Sequence, residues 1–210
     1  MKAARLFAVM LGIVGLALML GTVGLCLTSL DAPVKLQEVP QEAVACAEEL
    51  RQALDEGNLT AVEEKLYGQP SLGVEEALTE EAAAVWELFR TGISCELTSD
   101  LYVSGSALAV DAVVTVPEIA SITDTLQDHA LTLMNQRIAS ATEMSELYDE
   151  GNNFRVELIE EVMAQAVETA FKEPPEMLTY ETTWLLVFRE GQWWAVPDQA
   201  LMKALSGGLA

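Results

Sequence analysis

The stretch TYETTWLLVFREGQWWAV, from Thr179 to Val196, decides the fold. Tyr180, Thr182, Trp184, Leu186 and Phe188 alternate with Glu181, Thr183, Leu185, Val187 and Arg189, and β-branched and aromatic residues at period two make a strand. Glu190-Gly191 supplies a two-residue turn, after which Gln192 to Val196 returns antiparallel. That register sets Phe188 opposite Trp193 and Val187 opposite Trp194, so bulky apolar side chains stand on both faces. A two-stranded ribbon of this kind is not stable alone in water. The other segments must cover it.

Upstream lies a second alternating pair. Ile93, Cys95, Leu97, Leu101 and Val103 share one face of a strand from Ile93 to Val103, with Ser94, Glu96, Thr98, Asp100 and Tyr102 on the other. Ser104-Gly105-Ser106 turns the chain, and Leu108 to Val116 pairs back through Leu108, Val110, Ala112, Val114 and Val116 until Pro117, which has no N–H to donate, ends it. Between the two hairpins, residues 118–172 read as helical. A long helix over Glu118–Glu150, bent near Ser140-Ala141-Thr142 or forming a projecting hairpin, is followed by Phe154–Lys172, capped by Asn152 or Asn153 and stopped by Pro174-Pro175. Before the sheet, Gln41–Glu56 is amphipathic and stopped by Gly57. Asn58 caps Leu59–Tyr67, a role that accounts for its Asn-Leu-Thr sequon, and Gly68–Val74 reads as a loop. Thr79 caps a helix buried through Ala82, Val85, Trp86 and Phe89, and Gln199–Leu205 forms a last short helix. The expected fold class is therefore α+β: helices packed on a curved antiparallel sheet of about four strands in two hairpins, with the helical insertion between them.

The N-terminal end has a different character. Lys2 and Arg5 precede a run, Leu6 to Leu30, without a charged residue, longer than a signal-peptide core and long enough to cross a bilayer. The expected organisation is a signal anchor over residues 1–30, crossing through Leu6–Leu27, a linker over 31–40 bracketed by Pro33 and Pro40, and an extracytoplasmic domain over 41–210. A cleaved signal and a lipidated Cys26 are the alternatives. The basic cap keeps the N-terminus in the cytoplasm and the domain outside. All 33 acidic residues lie at or beyond Asp31, against nine of the 11 basic ones. A net charge of −22 repels phosphate backbones, which argues against a nucleic-acid partner. Cys46 and Cys95 fall on core-facing positions, either as a disulfide of an exported domain or as two buried thiols.

A helix ending in Gly57-Asn58, a second short helix, the strand running from Ala107 to Thr115 into Val116-Pro117-Glu118-Ile119, and a closing hairpin with Glu190-Gly191-Gln192-Trp193-Trp194 together resemble bacterial extracytoplasmic domains of the NTF2-like, cystatin-like type. The resemblance spans about Glu38 to Leu209. It implies a curved sheet wrapped around a helix, with a cone-shaped pocket, and no single chemistry, because that fold hosts enzymes, binders and assembly modules. Leu25 before Cys26 departs from the family's lipoprotein signal, and the helical stretch 118–172 is long for it.

Few residues point to catalysis. His129 is the single histidine, which excludes histidine-rich zinc sites, and it sits between Leu126 and Leu133 on the long helix. Nucleotide-loop and nucleophile-elbow motifs are absent. Glu48-Glu49, Glu63-Glu64, Glu75-Glu76, Glu80-Glu81 and Glu160-Glu161 are neighbours that share the same water, where acid–base chemistry needs two different environments. Asp149 to Glu160 spaces oxygens as a calcium loop does, but Phe154 stands where that loop's turn requires glycine. No metal or cofactor is expected. Asp111, the one ionisable side chain inside its strand, is the candidate catalytic residue if its face lines a pocket. Tyr180, Trp184 and Trp193 are candidates for a ligand-binding groove, with core packing as the plainer role. The expected function is a membrane-anchored binding or protein-interaction module of unknown protein or small-molecule partner. A small pocket hydrolase or isomerase and a homodimerising structural domain are the alternatives.

Overall fold

The computed structural model describes residues 39–68 and 80–209. The expected anchor over residues 1–30, most of the linker, Cys26 and the Thr79 cap lie outside the described residues. Among the described residues six α-helices pack on one antiparallel sheet of five strands. No helix among them is long and apolar enough to cross a membrane.

Helix α1 (Gln41–Asp55) buries Ala43, Cys46, Ala47, Leu50, Ala53 and Leu54 along one stripe and ends where Gly57 takes a φ of +62°. A side chain at Gly57 would sit 2.2 Å from the carbonyl oxygen of Arg90, so the turn has two reasons for glycine. Helix α2 (Leu59–Lys65) is capped by Asn58, whose side chain accepts the Ala61 N–H at 3.1 Å. It is shorter than expected because Leu66 leaves the helix to form a parallel bridge with Ala195, and Tyr67 N–H donates to the Ala195 carbonyl at 2.8 Å. Helix α3 (Glu80–Thr91) inserts Val85 and Phe89, with Trp86 stacked on Phe89 at 5.4 Å.

Strands β1 (Ser94–Leu97), β2 (Tyr102–Ser104), β3 (Ala107–Pro117), β4 (Met177–Arg189) and β5 (Gln192–Val196) form a sheet in the order β1-β3-β4-β5, with β2 beside β1 along the outer side of β3. The single strand expected over 93–103 is thus two strands. Thr98 N–H donates to the Asp111 carbonyl at 2.8 Å, Asp111 N–H donates to Ser99 Oγ at 2.9 Å, and residues 98–101 bulge outward. Leu97 pairs with Ala112 and Tyr102 with Ala109, so four residues of the edge oppose two of β3. Two extra residues preserve the alternation, and a period-two pattern therefore runs unbroken through the bulge. The β4–β5 register is as expected, Phe188 opposite Trp193 and Val187 opposite Trp194. Glu190 and Gly191 at φ of +52° and +86° give the turn its left-handed pair. The longest ladder joins β3 to β4, from Leu108 opposite Leu186 to Pro117 opposite Met177.

Between those two strands the chain rises into a helical hairpin. Helix α4 (Ile119–Ser140) stops at Ala141, at the break the sequence suggested near Ser140-Ala141-Thr142, and does not resume to 150. Thr142 takes over the local hydrogen bonds, its hydroxyl donating to one carboxylate oxygen of Glu146 at 2.7 Å and its N–H to the other at 3.2 Å. A 3-10 turn (Met144–Glu146) and a bridge between Tyr148 and Phe154, rings stacked at 4.7 Å, lead into α5 (Val156–Ala170). Asn152 and Asn153 serve that turn and do not cap α5: Asn152 takes a φ of +58° and Asn153 N–H donates to Asp149 Oδ1 at 2.8 Å. Helix α6 (Gln199–Leu205) closes the fold, capped by Asp198.

All six helices contribute to one core with the inner sheet face: Val110, Ala112, Val114 and Val116 of β3 and Trp184 and Leu186 of β4. Among the described residues no helix covers the opposite sheet face, where Glu181 is exposed and Leu185 39% exposed.

Candidate functional site

Alternation decides which face each candidate residue meets. Asp111 falls between Val110 and Ala112, both fully buried, and so stands on the open face and not beneath the sheet. Its Oδ1 accepts the Tyr102 hydroxyl at 3.0 Å and the Thr183 hydroxyl at 2.7 Å. The hydrogen bond to Asp111 pushes the Tyr102 phenol up from its ordinary value. With its backbone N–H and carbonyl also engaged by the bulge, Asp111 ties three strands together: β2 through Tyr102, its own β3, and β4 through Thr183. Such a carboxylate is an acceptor already satisfied by two hydroxyls, an arrangement that orders a sheet surface.

Tyr180, Trp184 and Trp193 do not converge. Trp184 is fully buried at the centre of the inner face, its indole N–H without a hydrogen-bond acceptor. Tyr180 lies four residues along the same face, half-buried near Gly208, its phenol pushed up by burial and by the nearby Glu118. Trp193 is at the rim, 5.5 Å from Phe188. The cone-shaped pocket implied by the family resemblance would lie over this inner face. Trp184, Leu186, Leu108 and Val110 fill it, all with no exposed surface, beneath Leu50, Leu54 and Leu201 of the helices.

Cys46 and Cys95 are both buried free thiols. They serve opposite ends of α1: Cys46 Sγ donates to the Trp193 carbonyl at 3.4 Å on β5, and Asp55 Oδ1 accepts the Cys95 N–H at 3.1 Å on β1. The strands they touch are separated by β3 and β4, about 14 Å across three interstrand spacings, well beyond disulfide reach. Burial pushes the Cys46 thiol up to about 11, against the pull of Lys65 and with Glu49 opposing ionisation, and the Cys95 thiol up to about 12, with Asp55 opposing ionisation. His129 packs on α4 with Nε2 3.3 Å from Glu173 Oε1, close but not aligned for a hydrogen bond.

The calcium-like spacing after Asp149 forms a helix-to-helix turn in which the Asp149 carboxylate is held by Asn153 N–H. Among the described residues no three His, Cys, Asp or Glu side chains are grouped to hold a metal ion. An open groove of about 270 Å³ lies at the tip of the helical hairpin, lined by Arg137, Glu146, Arg155 and Glu161 among others. Both of its arginines are paired within it, Arg137 with Glu161 and Arg155 with Glu157, and Glu146 accepts from the neighbouring Thr142 hydroxyl.

The feature that sequence reasoning missed is the open face itself. Leu185, Val187, Trp194 and Val196 face the same way as Asp111, Glu181 and Thr183, so an apolar part and a polar part share one surface, with Ala109 covered beneath it. The signal was present in the strand beginning at Thr179, where Leu185 and Val187 are apolar at positions that alternation assigns to water. The chain matches no protein-family model, no curated protein and no solved structure.

Proposed function

We propose that this chain is a membrane-anchored, extracytoplasmic binding module that engages a partner protein through the open face of its sheet. The observation that carries this reading is the pairing of a filled inner face with an outer one that no helix among the described residues covers. Trp184 and its leucine neighbours occupy the space a small-molecule pocket would need, while Leu185, 39% exposed, stands beside Val187 and Trp194 on the side away from the helices. Open antiparallel faces ordinarily alternate to polar residues, and apolar ones left there mark contact surfaces. The edges are less available: Asp55 holds the Cys95 N–H on the β1 side, and Leu66 and Tyr67 pair with β5. The apolar run from Leu6 to Leu30 supports the anchored location.

A photo-crosslinking side chain placed at Leu185 in the full-length chain, in a cell envelope, tests this. The expected result is one discrete adduct with a different protein, absent when the same side chain is placed at Glu168 on α5. An adduct of twice the chain's mass would replace a partner protein by a second copy. Identical labelling at both positions would overturn the proposal.

A further inference from the structure

We propose that the hairpin end of the domain is a lipid-facing rim, in which Phe188, Trp193 and Tyr67, with Arg189 among them, enter the headgroup region of the bilayer that holds the N-terminal segment. This rests on the membrane-anchored reading above and adds to it which end of the domain touches lipid.

Phe188, at 51%, is the most exposed aromatic residue among those described, although it lies on the sheet's inner side. It leans on Trp193 at 5.5 Å. Around the edge, Tyr67 meets Trp194 edge-on at 6.3 Å, and the Arg189 guanidinium lies 5.1 Å over the Tyr67 ring, 3.4 Å from its hydroxyl. Aromatic rings with a polar handle beside an arginine whose stem crosses apolar surface are the composition of the membrane–water interface.

The path of the chain places this end nearest the membrane. Cys46, in the second turn of α1, bonds to Trp193, whereas Asp55 at the other end bonds to Cys95, so α1 begins near the β4–β5 turn, with Val39 and Pro40 leading into it. The ten linker residues from Asp31 to Pro40 reach at most about 35 Å. The 13 residues of β4 extend about 43 Å, which carries the opposite end, where Met177 pairs with Pro117, away from the tether's origin. In a chain of net charge −22 whose acidic residues all lie at or beyond Asp31, the domain is repelled by anionic lipid, so the surface that fits is zwitterionic, held by apolar and aromatic contact.

The test uses the full-length chain in phosphatidylcholine vesicles whose acyl chains carry bromine near the headgroup. Bromine quenches tryptophan on contact, and Trp193 and Trp194 are two of the chain's four tryptophans, so the expected loss approaches half of the emission. Phe188→Ser should restore most of it while melting near the wild type and floating with the vesicles. A chain that floats but keeps its full emission overturns the rim and leaves the anchor standing. A chain that does not float overturns anchor and rim together. Quenching unchanged in Phe188→Ser and in Tyr67→Ser places the contact elsewhere and overturns the assignment.

Discussion

Asp198 shows how much one side chain can hold. One carboxylate oxygen accepts both the Thr182 hydroxyl and the Leu201 N–H at 2.7 Å, and the other accepts the Thr183 N–H at 3.1 Å. It thereby ends β5, continues the bonding of β4 and caps α6. Asp198→Ala should cost about 2–3 kcal/mol, from a lost cap and the buried Thr182 hydroxyl left unpaired, with a smaller part from the half-buried Thr183 N–H, measurable by urea unfolding. An unchanged midpoint would mean that water replaces the carboxylate. The two thiols make a pH prediction. Their folded values, about 11 for Cys46 and about 12 for Cys95, lie above the ordinary 9.0. Above pH 9 the unfolded chain releases these protons while the folded chain retains them, so the stabilisation is complete below pH 9 and declines as pH rises toward the folded values. The decline is about 1.4 kcal/mol per pH unit for each thiol. Cys46→Ala/Cys95→Ala should flatten the alkaline limb of stability against pH relative to the wild type; parallel limbs would show that neither thiol is buried as described.

Elements bring out the difference between two glycines in turns. Gly191, at φ of +86°, has open space where a Cβ would go, so Gly191→Val meets only the backbone penalty, about 1–2 kcal/mol. Gly57 combines a φ of +62° with a carbonyl 2.2 Å from the Cβ position, so even Gly57→Ala must separate α1 from α3 and should cost more, about 3 kcal/mol or above. Thermal melting of the two variants side by side checks the order; equal shifts would mean that the α1–α3 contact yields freely. Helix α4 is anchored by its first half, while α5 enters the core through Val162, Ala166 and Ala170. Ile119, Ile122, Leu126 and Ala130 are buried, while Leu131 and Ile138 are 45% and 42% exposed. Amide exchange should therefore run faster over residues 131–155 than over β3, which is paired on both sides and opens only with the whole sheet. Uniform protection along α4 would count against that division.

At the scale of the whole molecule, the result is a two-layer domain with helices on one side of a sheet and nothing described on the other. Much of this was legible in the sequence because it is local: period two in the strands, helical spacing in α1 and α3, Asn58 as a cap and Glu190-Gly191 as a turn each depend on residues a few positions apart. The break of α4 falls at Ser140-Ala141-Thr142, where the sequence suggested a bend or a hairpin, but that helix does not resume to 150, because hydrogen bonds between Thr142 and Glu146 outweigh a hydrophobic pattern that drifts onward. The bulge at residues 98–101 was hidden, since an insertion of two leaves the alternation in phase. Most of the candidate site was beyond local reading. Composition and alternation marked Asp111, Trp184 and Trp193 as unusual without saying which face of a sheet the helices would choose. Pairing of β3 with β4 across about 60 intervening residues made that choice. It turned Trp184 inward, set Asp111 between the Tyr102 and Thr183 hydroxyls, and left Leu185 and Val187 facing out. The sequence by itself determined the elements, their turns and the acidity of the chain, because propensity, periodicity and charge act over short range. Only the tertiary structure decided which face is core and which is surface, because burial depends on what packs against a strand from elsewhere in the chain.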